Sequence, residues 1–290
     1  MKNLTNISIL CPYSSSLTDP RAEWLERLSR MEQLHVLQFD ASRIQETSLS
    51  QLNLGQFSAL QSINVIGSLP SLLTVFSSFR TCTLQDVRVT FDDAPMGPAE
   101  GLMKKLIEVI TASSGNTLTV FSFESDTPFF QLAAHTAPLI DIIRPLTLAH
   151  SLKEVLIHLP TPHAVTDQDA STFAESWPLL ESRTIKMPPG SIRPKVSMLV
   201  EFAIRCPSLR VLHLPTNFDN LPDPETIPLT RHGLRSLYCG ELNIRTKYVK
   251  EVARIIHRLF PGIDPSLSGE SRWGATLEHV KMLQRPQWSL

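Results

Sequence analysis

The sequence predicts an α/β chain folded as a stacked repeat: a curved solenoid, with a parallel sheet on its concave face and helices and loops on its convex face. Three observations carry this. First, an apolar triplet of the form L-x-x-L-x-L recurs from residues 4, 34, 60, 84, 118, 152, 180, 209 and 234, at intervals of 24 to 34 residues. Second, the position three residues ahead of each start forms its own column, with Met1, Met31, Phe57, Trp177 and Cys206 as bulky apolar or thiol members. Third, helix-like apolar spacing follows most triplets. A single triplet means little in a chain rich in Leu, Ile and Val, but nine at quasi-regular spacing indicate a repeat.

The triplets, in order, are Leu4-Ile7-Ile9, Leu34-Leu37-Phe39, Leu60-Ile63-Val65, Leu84-Val87-Val89, Leu118-Phe121-Phe123, Leu152-Val155-Ile157, Leu180-Arg183-Ile185, Leu209-Leu212-Leu214 and Leu234-Leu237-Cys239. The seventh breaks the pattern with Arg183. Alternation at the end of each triplet makes a short strand, since successive side chains point to opposite faces. Between strands, helix spacing places Trp24, Leu25 and Leu28 on one face, then Leu102, Leu106, Val109 and Ile110. Val196, Leu199, Val200, Ala203 and Ile204 follow in the same way, and Tyr248, Val252, Ile255, Ile256 and Leu259 give the cleanest stripe. The third interval lacks good helix spacing in places. Pro222, Pro224 and Pro228 predict an extended return from Pro215 to Thr230.

Phe260 and Ile263 start a degraded tenth unit, so residues 1–263 are expected to form nine to ten irregular units. Residues 264–290 are expected to cap the open end with a short helix that turns Trp273, Leu277, Val280 and Leu283 inward. No unit can bury its apolar face alone, so neighbours must stack.

Composition bounds the function. The chain has 290 residues, 42% hydrophobic and 19% charged, a mean hydropathy of -0.01 and a formal net charge of -1. This is globular composition without the strongly basic balance of a nucleic-acid binder, so no nucleic-acid partner is expected. Residues 1–145 carry 10 basic against 14 acidic side chains and residues 146–290 carry 17 against 14, an asymmetry able to orient a partner. On the basic side, Lys247, Lys250, Arg254 and Arg258 are expected on a solvated helix face. The amino end lacks a secretory apolar core, and the apolar stretch Pro138–Ala149 is too short to span a bilayer. A soluble cytoplasmic or nuclear protein with no membrane partner is expected.

No nucleophile elbow, phosphate loop, dinucleotide loop or H-E-x-x-H motif occurs. Cys11, Cys82, Cys206 and Cys239 are dispersed, with no C-x-x-C pair, and Cys206 and Cys239 fall in core columns. His150, His158 and His163 lie on different parts of one unit, and Asp92 and Asp93 lack the further oxygens of a calcium loop. The expectation is no enzyme, no cofactor and no metal.

Cys206-Pro207-Ser208-Leu209-Arg210-Val211-Leu212-His213-Leu214 and Trp177-Pro178-Leu179-Leu180 resemble the leucine-rich repeats of F-box proteins. The uneven repeats and the run Val252–Pro261 look most like the large fungal set. That resemblance implies a leucine-rich-repeat solenoid that presents substrate to an SCF-type ubiquitin ligase, with a separate upstream F-box docking the ligase adaptor. The chain starts inside a repeat and is expected to lack that F-box. The run Leu69–Phe76 echoes an F-box opening, but the next triplet leaves room for one helix only. The alternatives are a repeat scaffold or regulatory binding protein outside the ubiquitin pathway, and, more remotely, an enzyme of unfamiliar type.

Function in a solenoid lies in strand positions that the core does not use. Those are the third, fifth and seventh residues of each motif. The candidate protein-binding residues on the concave face are Asp86, Arg88, Glu124, Glu154, His158, Lys186, His213 and Tyr238. Arg and Tyr are enriched where binding energy concentrates.

Overall fold

A computed structural model describes residues 5–9, 21–42, 57–79, 83–91, 99–126, 137–188, 191–240, 248–264, 266 and 274–284. Leu4, Met1, Cys11, Cys82, Asp92, Asp93, Lys247 and Trp273 lie outside them. The chain is α/β. Nine triplet strands, β1 (Asn6–Ile9), β2 (Val36–Asp40), β3 (Ser62–Gly67), β4 (Asp86–Phe91), β5 (Val120–Ser125), β7 (Glu154–His158), β9 (Ser182–Lys186), β10 (Val211–His213) and β11 (Ser236–Tyr238), form a parallel sheet in that order. The chain divides into two compact units. One comprises residues 1–133, 139–152 and 156–161, and the other residues 134–138, 153–155 and 162–290.

The register matches the triplet alignment. In the first unit Ile7, Leu37, Ile63, Val87 and Phe121 are successive register partners, and in the second Arg183, Leu212 and Leu237 are. One backbone rule repeats at these rungs. The carbonyl just before a strand accepts two N–H groups of the next unit: Gln61 from Gln85 and Asp86, Glu181 from Arg210 and Val211, and Arg210 from Arg235 and Ser236. The expected tenth unit obeys the first half of that rule, since Asp264 N–H donates to the Arg235 carbonyl at 2.8 Å. Ile63, Val65, Val87, Val89, Phe121 and Phe123 are fully buried. Fully burying a side chain of this size contributes roughly 1.5–3 kcal/mol.

The column ahead of each triplet has a physical cause. Trp177, Cys206 and Phe260 each end a helix, with φ of -124°, -117° and -135° and the same ψ of 66°. Each N–H closes the last helical turn, on Phe173, Phe202 and Ile256, while each carbonyl accepts the N–H of the next triplet's first residue. One residue thus stops the helix, aims the chain at the sheet and buries its own side chain.

In the first unit, helix α1 (Arg21–Ser29) buries Leu25 but leaves Trp24 46% exposed, against the expected stripe. Helix α2 (Leu69–Ser78) fills the third interval, where the sequence spacing is poor. Ser68 caps it by accepting from Ser71 N–H, Pro70 sits in its first turn where no helical donor is lost, and Leu69, Leu72, Val75 and Phe76 are buried. Helix α3 (Ala99–Ser114) buries Met103, Leu106, Ile107 and Ile110, a stripe rotated slightly from the expected one. A short helix, α4 (Leu139–Ile143), runs into a 3-10 turn at Arg144–Leu148.

In the second unit, helix α5 (Asp167–Ser176) begins with a capping box. Thr166 Oγ1 accepts from Asp169 N–H, and Asp169 Oδ2 accepts from Thr166 N–H. Helix α6 (Met198–Arg205) buries Met198, Leu199, Phe202 and Ala203, while Ile204, expected inside, is 61% exposed. Helix α7 (Val249–Leu259) keeps its expected face of Val252, Ile255, Ile256 and Leu259. The return from Pro215 to Thr230 is non-helical apart from a 3-10 turn at Pro224–Thr226. Arg258 does not lie on a solvated face. Its guanidinium bonds Glu225 Oε2 and the Ile227 carbonyl, both at 2.9 Å, and ties α7 to that return. Helix α8 (Gly274–Gln284) packs on α7 and buries Leu277 and Val280, but Leu283 is 39% exposed.

A second row of parallel pairing accompanies this unit. Strand β6 (Ala137–Pro138) pairs with β8 (His163–Ala164), Ala164 bridges Ile192, and Lys195 bridges Asn217. Backbone groups that leave the strands find partners there, as when Val165 N–H donates to Ile192 and Asn217 N–H to Pro194.

Candidate functional site

Alternation puts the triplet residues into the core and leaves the third, fifth and seventh positions on the other face. Burial follows. In β4, Val87, Val89 and Phe91 are buried while Asp86 and Thr90 are partly exposed and Arg88 is exposed. In β7, Val155 and Ile157 are buried, Glu154 is exposed and His158 is half-buried. All eight candidate residues therefore stand on the accessible side of their own strands.

In the first unit, Arg88 and Asp86 are joined. Arg88 Nε donates to Asp86 Oδ1 at 3.0 Å and Nη2 to Oδ2 at 3.3 Å, along one strand face. Both groups keep contact with solvent, so the pair contributes under about 1 kcal/mol and can exchange partners at little cost. Arg88 is in register with Ser122, whose hydroxyl donates to Glu124 Oε1 at 3.0 Å. Charges on this face are thus partly satisfied within the chain.

In the second unit, His213, Tyr238 and Lys186 form the compact group. His213 is in register with Thr184 on one side and Tyr238 on the other. The Tyr238 ring meets the imidazole edge-on, with centroids 5.7 Å apart at 68°, and His213 Nε2 lies 3.4 Å from Ser236 Oγ. Burial, and then the charge of Lys186, hold the His213 pKa below its ordinary value. Its neutral form is favoured, which leaves Lys186 as the formal charge of the three. Glu154 lies on the accessible side of β7, the strand next to β9.

Behind the sheet sits a side chain that the repeat pattern does not prepare for. Arg183 occupies a triplet position and is fully buried. Its guanidinium carbon lies 4.5 Å from the Phe173 ring centroid, 4.7 Å from that of Phe202 and 5.7 Å from that of Trp177. Phe173 and Trp177 stack at 5.4 Å, almost parallel. None of its three guanidinium nitrogens has a hydrogen-bond partner. Burial pushes its pKa down to about 9, opposed by the Cys206 thiol. Aromatic faces substitute here for an anionic partner. The spacing Phe173–Trp177, one helical turn apart and just ahead of Arg183, is the signal that could have revealed this cage.

The core thiols and another histidine are structural. Cys206 Sγ donates to the Ala174 and Trp177 carbonyls at 3.6 Å, and burial raises its pKa to about 11. Cys239 is raised to about 12 for the same reason. His232 Nδ1 accepts from Leu234 N–H at 3.0 Å, so Nε2 carries the proton it donates to the Cys206 carbonyl at 2.8 Å. His150, His158 and His163 occupy an exposed turn, the end of β7 and buried β8. Among the described residues, no three His, Cys, Asp or Glu side chains gather as a metal site, and no helix is long and apolar enough to cross a membrane.

No protein-family model matches the chain, and no curated protein matches its sequence.

Proposed function

We propose that the chain is a leucine-rich-repeat solenoid that binds another protein on the accessible face of its sheet and performs no chemistry itself. Its role in this reading is substrate recognition for an SCF-type ubiquitin ligase, in the manner of the F-box proteins its repeats resemble. The observation that supports it most is the repeated junction. The same ψ, the same helix-closing hydrogen bond and the same turn into the triplet recur at Trp177, Cys206 and Phe260. Such repetition builds a scaffold whose outward strand positions are free to vary without disturbing packing. Asp86, Arg88, Glu124, Glu154, His158, Lys186, His213 and Tyr238 are the contact residues of this reading.

The ubiquitin part is tested on the full product of the gene, purified from its native cell. Co-purification of a ligase adaptor and cullin at defined stoichiometry is expected. A full-length product that yields neither would leave a binding scaffold outside that pathway.

A further inference from the structure

We propose that helix α6 is a lid over Arg183 that opens and closes by itself while α5 and the strands of the second unit stay folded. This holds whatever the sheet binds. Arg183 on β9 fills the triplet place that Leu212, its register partner, fills on β10 and Leu237 fills on β11. Uncovering a leucine there only loses apolar burial. Uncovering Arg183 also frees a guanidinium whose three nitrogens are buried without hydrogen-bond partners, so hydration offsets part of the cost of opening.

The cage around the guanidinium has two parts that differ in how they are held. Helix α5, fixed by its capping box at Thr166 and Asp169, supplies Phe173 and, at its end, Trp177, with the two rings stacked at 5.4 Å. Helix α6 supplies Phe202, 4.7 Å from the guanidinium carbon. It has eight residues, too few to be stable without packing, and Ser197 at its start makes no side-chain cap. Its polar ties to α5 are slight. The Arg205–Glu175 ion pair at 3.1 Å is solvent-exposed, and the Cys206 thiol reaches the Ala174 and Trp177 carbonyls at 3.6 Å as a weak donor. Firm anchors stand at either end. Val196 N–H donates to the Asn217 carbonyl at 3.1 Å, and the Cys206 carbonyl accepts from His232 Nε2 at 2.8 Å and from Leu209 N–H at 3.0 Å. Between them, burial of Met198, Leu199, Phe202 and Ala203 keeps the lid closed most of the time and makes the open form a minor one.

Amide hydrogen exchange of the intact chain, followed by NMR through a series of urea concentrations below the unfolding transition, tests this. The Phe202, Ala203 and Cys206 amides report α6, those of Phe173 and Ala174 report α5, and those of Val211 and Leu212 report β10. In the wild type the α6 amides are expected to exchange at least about tenfold faster than the α5 and β10 amides, with a much shallower dependence on urea. Arg183→Met, and Arg183→Leu as a second apolar replacement, should slow α6 exchange about fivefold, the equivalent of about 1 kcal/mol, because the closed form no longer holds an unhydrated charge. Exchange of α6 at the rate and urea slope of α5 and β10 overturns the lid, since opening is then that of the whole unit. Fast, urea-insensitive α6 exchange that neither replacement slows also overturns it, since the helix then frays without help from Arg183.

Discussion

Replacing Arg183 by Met is expected to stabilise the protein, although the residue is fully buried in the core. The drop of its pKa from 12.5 to about 9 corresponds to roughly 5 kcal/mol against holding the charged form. The Phe173 and Phe202 faces, at 4.5 and 4.7 Å, offset that by up to about 2 kcal/mol each when desolvated, and the Trp177 ring, at 5.7 Å and near the limit of such contact, by about 0.5 kcal/mol. A penalty on the order of 1 kcal/mol remains. Methionine fills a similar volume, presents no unpaired donor and keeps a favourable contact with aromatic rings. Arg183→Met should therefore raise stability by about 1 kcal/mol, or Tm by about 2 °C in a chain of this size. Urea denaturation measures this. A double-mutant cycle with Phe202→Leu isolates the cage and should give a coupling of about 2 kcal/mol between ring and guanidinium. Loss of about 3 kcal/mol or more in Arg183→Met would refute the reasoning, because removing a net-unfavourable buried charge while keeping the volume filled cannot cost that much.

Four further predictions follow from single contacts. Gly240 has φ of +82° and an added Cβ would lie 3.1 Å from the Pro215 Cβ, so Gly240→Ala should cost about 1–2 kcal/mol in chemical denaturation; unchanged stability would refute the turn. Arg258→Met leaves the Ile227 carbonyl and Glu225 without their donor and should cost about 2 kcal/mol, whereas Glu225→Gln, at an exposed carboxylate, should cost well under 1. Burial depresses the His232 pKa below its unfolded value, so its contribution is present above about pH 6.5 and fades as pH falls, when the unfolded chain takes up the proton first. Tm should fall between pH 7 and 5, and less steeply in His232→Gln; equal slopes would contradict this. Arg88→Glu combined with Glu154→Lys should change stability by less than about 1 kcal/mol, since both side chains are exposed; a loss above 3 kcal/mol would give them a structural role.

The strand register was legible because it follows from a period-2 pattern repeated many times. Leu37, Ile63, Val87 and Phe121 could be aligned from sequence and are register partners in the sheet. The column of Trp177, Cys206 and Phe260 was visible too, but its task of ending each helix was not, since that depends on backbone angles. Helix faces were legible only to within about one residue. Phe202 takes the place under Arg183 and so turns Ile204 outward, a choice made by tertiary packing. Helix α2 was only weakly legible, as the one helix that fits at Leu69–Phe76, because its support comes from the Ser68 cap and from buried partners more than from spacing. Arg258 read as a solvated charge because its partners, Glu225 and Ile227, lie over thirty residues away. Of the candidate contact residues, the sequence indicated which side of the strand each takes. It gave no sign that Asp86 holds Arg88 or that Tyr238 leans on His213.

The central claim is that successive triplets are successive parallel rungs. Amide–amide NOEs in a perdeuterated sample test it directly. The order Gln38–Asn64–Arg88–Ser122 in one unit and Thr184–His213–Tyr238 in the other is expected from neighbour to neighbour. Cross-peaks that run in opposite directions along neighbouring strands, as in antiparallel hairpins, would contradict it.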